Sequence, residues 1–161
     1  MGHTLVRPAR AADAAGIAAV HVQAWREAYA HLLPGDFLAS LDVQRRESGW
    51  ATIIADGVTE VFVALDGTRI IGWASAGPGR DRDAVRTREL EGIYVVASAY
   101  GSGAGQQLLD AAVGNAAAYL WMAADNPRAE AFYRRNGFER DGEVKDELIG
   151  PARLAVVRMT R

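Results

Sequence analysis

In the stretch YGSGAGQQLLDAAV, Tyr100 to Val113, three glycines stand on alternate positions directly before an amphipathic run. A turn entering a helix leaves backbone N–H groups without partners, and the helix dipole adds partial positive charge there. Gly101, Gly103 and Gly105 let the backbone curl with no side chain in the way, so the chemistry on offer is binding of a phosphate. The alternative is a tight turn whose glycines serve only left-handed geometry. Spacing narrows the ligand. A dinucleotide fingerprint counted from Gly101 needs glycine at 106, where Gln106 stands, and no Gly-Lys-Ser/Thr triplet follows as in a P-loop.

Other groups able to do chemistry surround this turn in the sequence. Glu89 and Glu91 lie on ELEGIYVV, the β-prone run that leads into it. Strand alternation puts them with Ile93 and Val95 on one face, and Leu90 and Tyr94 on the other. Trp25 and Tyr29 form an aromatic pair at helical spacing, suited to a core or to a pocket wall. His3, His21 and His31 share no spacing with carboxylates that suggests a metal site. Ser102 lacks the GxSxG elbow of a hydrolase, and the absence of cysteine excludes a thiol nucleophile and a disulfide framework.

The elements that must position these groups follow from periodicity. Leu5 to Arg7 read as a first strand, and Asp13 as the cap of a helix carrying Ile17, Val20, Ala24 and Ala28 and ending near His31. Pro34 suits the first turn of a short helix through PGDFLASL, and a further helix containing Trp50 and Ile53 runs to about Ile54. Thr59–Leu65 and Arg69–Ala76 read as strands joined by a hairpin at DGT. GPGRDRDAVRTR reads as a solvated loop. After ELEGIYVV and the glycine turn come a helix from about Gly103 to Asn115 and a strand AYLWMA. The next helix has Asn126 as cap, Pro127 at its first position and Gly137 closing it, and two more strands fill Phe138 to Thr160. This alternation argues a mixed α/β sheet with helices on both faces.

Two ordered motifs carry a resemblance. ELEGIYVVASAYGSGAG is similar to the signature of the GCN5-related N-acetyltransferase (GNAT) superfamily, a β-strand followed by glutamine or arginine, two residues, glycine, any residue, then glycine or alanine. LWMAADNPRAEAFYRRNGF resembles the family's later strand, asparagine and AxxFYxxxGF segment, and AWREAYAHLLPGDFL resembles its N-terminal helical region. The resemblance covers most of the chain. It implies a GNAT fold of α+β type, a mostly antiparallel sheet of about seven strands flanked by about four helices. It implies one N-acetyltransferase domain over residues 1–161, using acetyl-CoA and a small-molecule or peptide amine.

Residue by residue, the resemblance assigns the backbone of Ile93, Tyr94 and Val95 to the pantetheine arm. Gly101, Ser102, Gly103, Ala104, Gly105 and Gln106 fall to the pyrophosphate, and Asn126 reaches the cofactor. Tyr133 matches the family's general acid, and an ordinary tyrosine with pKa ~10 carries the proton that a donor needs. Glu89 matches the base of the histone-acetylating branch, with Glu91 as runner-up; other members use water chains or other residues instead, leaving Glu89 as a strand-end carboxylate or one that binds a cationic substrate. A backbone N–H near Val95, freed by a strand bulge, is the family's usual oxyanion donor. Trp25 and Tyr29 lie where members build the acceptor pocket. One departure is Tyr100, at the glutamine or arginine position. It removes one side-chain donor from the pyrophosphate and motivates the alternative of a non-catalytic acyl-CoA-binding module.

Composition bounds the rest. The 161 residues are 50% hydrophobic and 24% charged with a formal net charge of -2, which is ordinary globular composition and no footprint for nucleic acid or an anionic membrane. No apolar run approaches the ~18 residues of a membrane span, so the expectation is a soluble, cytoplasmic enzyme without metal. Homodimers are frequent in the family it resembles.

Overall fold

A computed structural model describes residues 2–161, which form one seven-stranded mixed sheet with five helices. The strands are β1 (Thr4–Pro8), β2 (Glu60–Asp66), β3 (Arg69–Pro78), β4 (Arg88–Val95), β5 (Tyr119–Ala123), β6 (Glu139–Ile149) and β7 (Ala152–Thr160). Their order across the sheet is β1-β2-β3-β4-β5-β7-β6. The helices are α1 (Ala14–Ala28), α2 (Gly35–Ala39), α3 (Val43–Asp56), α4 (Ala104–Ala112) and α5 (Pro127–Arg135). Neighbouring strands run antiparallel except β4 and β5, and α4 supplies the crossover that a parallel pair requires. Among the described residues no helix is long and apolar enough to cross a membrane.

Alternation along β3 and β4 assigns the layers. Gly72, opposite Val95, faces Leu108 of α4, whereas Trp73, opposite Tyr94, meets His21 of α1 and Trp50 of α3. Helices α1 and α4 therefore cover opposite faces of the sheet. Leu108 and Leu109 are fully buried on the second face, each side chain contributing about 2 kcal/mol of transfer free energy. Gly16 lets α1 lie close on β3, since a Cβ there would come within 2.7 Å of Ile70.

Local signals account for most helix ends. Asn126 caps α5, its side chain accepting from the Ala129 N–H, with Pro127 at the first position and Gly137 left-handed beyond the end. Other expectations shift. Helix α1 stops at Ala28, and α4 stops at Ala112 instead of Asn115, just before left-handed Gly114. Pro34 stands before α2 in extended conformation, not inside its first turn. Asp13 does not cap α1. Its carboxylate accepts from Arg7 Nη1 and Nη2 at 2.7 and 3.0 Å and from the Arg10 N–H at 2.7 Å, a stronger set of charge-assisted bonds.

His21 is buried among Trp25, Trp50, Trp73 and Tyr94, and its Nδ1 accepts from Trp50 Nε1 at 3.1 Å. Burial first, and the charge of Arg46 second, push its pKa down to about 4 from 6.5. The unfolded chain therefore takes up this proton first as pH falls, so stability drops between pH 6.5 and about 4 and levels off below. The full loss approaches about 3 kcal/mol. Denaturant titrations at stepped pH should show it, and His21→Asn, which keeps an acceptor for Trp50, should remove that component. An unchanged pH profile in the variant would acquit His21.

Two irregularities interrupt the sheet around β4. In the β3–β4 ladder Ser75 pairs with Gly92 but Ala76 pairs with Leu90, so Glu91 is an extra residue bulged out of β4. The parallel pair β4–β5 is joined only at Glu89 and Tyr119, and beyond that point the two strands part. The backbone of β4 from Ile93 to Val95 thus has no strand along its β5 side.

Candidate functional site

A cavity of about 970 Å³ opens where β4 and β5 separate. Ile93, Tyr94 and Val95 form one wall, the glycine turn and the start of α4 a second, and α5 a third, with α1 lying across the top. Gly101 and Gly103 take left-handed conformations at φ +78° and +87°, which a side chain would strain, and a Cβ on Gly101 would point into open space. Among the described residues the N–H groups of Gly101, Gly103, Gly105 and Gln106 have no acceptor. The Ala104 N–H is taken by Ser102 Oγ at 3.3 Å.

The helix α5 begins at the same cavity. Asn126 and Arg128 both line it, and the Arg128 guanidinium lies 3.2 Å from the centre of the Tyr100 ring. One turn on, Tyr133 is buried beside Phe132 and Phe138, its hydroxyl without a hydrogen-bond partner among the described residues. Burial raises its pKa well above the ordinary tyrosine value. The hydroxyl therefore keeps its proton at any physiological pH.

A second cavity, about 390 Å³, lies on the other side of Tyr94. Trp25, Tyr29 and Trp121 line it with Glu89, Glu91, Arg80, Asp81, Lys145 and Glu147. The Tyr29 and Tyr94 hydroxyls are 2.8 Å apart, and burial holds both phenols protonated. Glu89 is only 1% exposed and both of its oxygens accept hydrogen bonds. Oε1 accepts from the Arg80 N–H at 3.0 Å, Arg80 Nε at 3.1 Å and the Tyr119 hydroxyl at 3.1 Å, and Oε2 accepts from Arg80 Nη2 at 2.7 Å. Glu91 has only an ion contact, 3.2 Å from Arg80 Nε, and no hydrogen bond among the described residues.

Residues 57–140 match the family model described as acetyltransferase (GNAT) domain. The chain is 34% identical over 152 residues to YuaI of Bacillus subtilis (strain 168), an uncharacterized N-acetyltransferase, covering 90% of this chain and 86% of the relative. The chain belongs to the GNAT acetyltransferase family. Among solved structures, the ribosomal-protein-alanine N-acetyltransferase of Brucella melitensis superposes with a TM-score of 0.73 at 26% identity, covering 98% of each chain. The phosphinothricin acetyltransferase of Sinorhizobium meliloti, in complex with AcCoA, gives 0.69 at 25% identity over 98% of this chain and 87% of its own.

As a GNAT protein the chain is an N-acetyltransferase, and its residues divide between the two cavities. Ile93, Tyr94, Val95, Gly101, Gly103, Ala104, Gly105, Gln106, Asn126 and Tyr133 meet at the first. Ser102 does not line it and instead closes the turn. Trp25, Tyr29, Glu89 and Glu91 meet at the second, with Tyr94 shared. Simple alternation fails along β4: the bulge at Glu91 changes parity, so Tyr94 joins the two glutamates while Ile93 and Val95 face the GNAT glycine turn.

Several site residues escape a sequence reading. Arg80 and Asp81 belong to GPGRDRDAVRTR, which is not the solvated loop its composition suggests. Arg80 grips Glu89, and Asp81 accepts from Trp121 Nε1 at 2.8 Å. Arg86 and Arg88 likewise bond the carbonyls of Arg161 and Ala112. Lys145, Glu147 and Ile149 reach the second cavity on alternate positions of β6. A period of two in that polar strand is the only signal that marks them. Arg128 carries none beyond its place in the first turn of α5.

Proposed function

We propose that residues 1–161 act as one catalytic domain transferring an acetyl group from acetyl-CoA directly to a primary amine, with both substrates bound together. The observation that carries this is the pair of cavities meeting at Tyr94. The first fits acetyl-CoA in kind: four unpaired N–H groups converge at a helix N-terminus, and a backbone edge lies open beside it. The Sinorhizobium relative holds AcCoA on this fold. Acetyl-CoA, when bound, supplies the acetyl group as a thioester.

The chain's own residues then have distinct tasks. The N–H groups of Gly101, Gly103, Gly105 and Gln106 hold the pyrophosphate, and Arg128, stacked on Tyr100, provides the cation that the glutamine or arginine position lacks. Asn126 and the backbone of Ile93 to Val95 orient the pantetheine arm, and a β4 N–H near Val95 stabilises the oxyanion. Tyr133 offers its hydroxyl proton to the leaving sulfur. Trp25 and Tyr29 wall the acceptor side. Glu91, at the bulge, takes the proton from the amine, while Glu89 positions the strand through Arg80.

Initial-rate kinetics with acetyl-CoA and a panel of amines test the reading. Intersecting double-reciprocal lines are expected, whereas parallel lines would demand a covalent acetyl-enzyme and remove direct transfer. Arg128→Ala should weaken coenzyme A binding in calorimetry about tenfold and flatten its salt dependence. Unchanged affinity would leave the backbone alone holding the phosphates.

A further inference from the structure

The chemistry of the second cavity narrows the acceptor beyond "amine". Four carboxylates line it, Asp81, Glu89, Glu91 and Glu147, against two cations, Arg80 and Lys145. Both cations lie against carboxylates of the same cavity. Arg80 is committed to Glu89 and Glu91. Lys145 lies 3.9 Å from Asp81 and 4.0 Å from the Trp121 ring centre. Glu147 has no cationic partner among the described residues, and its charge acts on both Tyr29 and Tyr94. The remaining walls are aromatic, Trp25, Tyr29, Tyr94 and Trp121.

The geometry points to a small primary amine, entering as its ammonium form, with an apolar or aromatic body and no carboxylate of its own. An ammonium group meets uncompensated negative charge and ring faces. A carboxylate would meet Glu91 and Glu147 in a cavity where carboxylates outnumber cations four to two, and like charges brought together there discriminate against it. A volume of about 390 Å³ suits a compact body. This inference rests on the transfer reading above only for its consequence in turnover.

The test uses matched pairs differing in the carboxylate alone: 2-phenylethylamine against phenylalanine, and 3-methylbutylamine against leucine. Calorimetry on the protein saturated with coenzyme A should show at least one amine binding about tenfold or more tightly than its amino acid. Equal or tighter binding of the amino acids, or no binding of either amine, overturns the inference. Glu147→Gln, on an exposed strand, should weaken the amine about fivefold and narrow the ratio, and unchanged binding removes Glu147 from recognition and the proposal with it. Thiol release from acetyl-CoA is followed in parallel. Selective amine binding without release would refute transfer and leave this inference standing, whereas release with the amino acids alone would do the reverse.

Discussion

Tyr133→Phe is expected to lower kcat on the order of a hundredfold while leaving the Kd for coenzyme A within about twofold. The ring is a packing element, set between Phe132 and Phe138 with centroids 5.4 and 6.0 Å away, and phenylalanine keeps all of those contacts. What the variant loses is one hydroxyl, at the first cavity, with no partner among the described residues. The size of the loss follows from acidity. Burial raises the phenol well above its usual pKa of ~10, whereas a thiol sits near 8.5, so complete proton transfer to a free thiolate is uphill by at least ~2 kcal/mol. In the proposed transfer Tyr133 would therefore act chiefly as a hydrogen-bond donor to charge developing on the leaving sulfur, and removal of one such donor costs about two to three powers of ten. A consequence is a kcat profile with no alkaline fall up to about pH 9.5, because the phenol stays protonated throughout. Full activity in Tyr133→Phe would strip the residue of this role, and a large rise in Kd would recast it as a binding group.

How much of this was legible in the residues depends on whether a feature is local. The glycine turn, the Asn126 cap with Pro127 and Gly137, and the hairpin at Asp66-Gly67 are written in consecutive positions, and the structure places each where the residue types put it. The first cavity is assembled from just such pieces, which is why its lining follows the motifs so closely. The second is assembled across the fold. Its Arg80, Asp81, Lys145 and Glu147 come from a polar loop and an exposed strand that look solvated in isolation; Arg80 finds its partners on β4, and the others acquire neighbours only when β5, β6 and β7 come together. The bulge at Glu91 is illegible for a related reason. Nothing in ELEGIYVV marks an extra residue, because the register is set by the partner strand, yet that one residue decides that Tyr94 and not Ile93 shares a face with the glutamates.

The same bulge sets the two glutamates in different surroundings, the proposed transfer gives them different tasks, and the substitutions should part accordingly. Glu91→Gln is expected to reduce kcat at saturating amine on the order of a hundredfold at neutral pH, within the range of a lost general base. Its rate should then climb about tenfold per pH unit toward the amine's own pKa, since only the free amine attacks once no side chain removes the proton. A role confined to ammonium binding would raise KM and leave that slope unchanged. Glu89→Gln should behave otherwise. The Glu89 carboxylate is buried and accepts four hydrogen bonds, three of them from Arg80, so it is held as the anion that anchors the Arg80 guanidinium. Losing its charge leaves the Arg80 guanidinium, whose side chain is 61% exposed, held by Glu91 alone. The cost is about 1–3 kcal/mol of stability, seen as a Tm lower by several degrees, because part of the freed charge returns to water. If Glu89→Gln proved fully stable yet lost the pH-dependent part of kcat, the base would move one β-pair back along the strand, to the last point at which β4 and β5 are still joined.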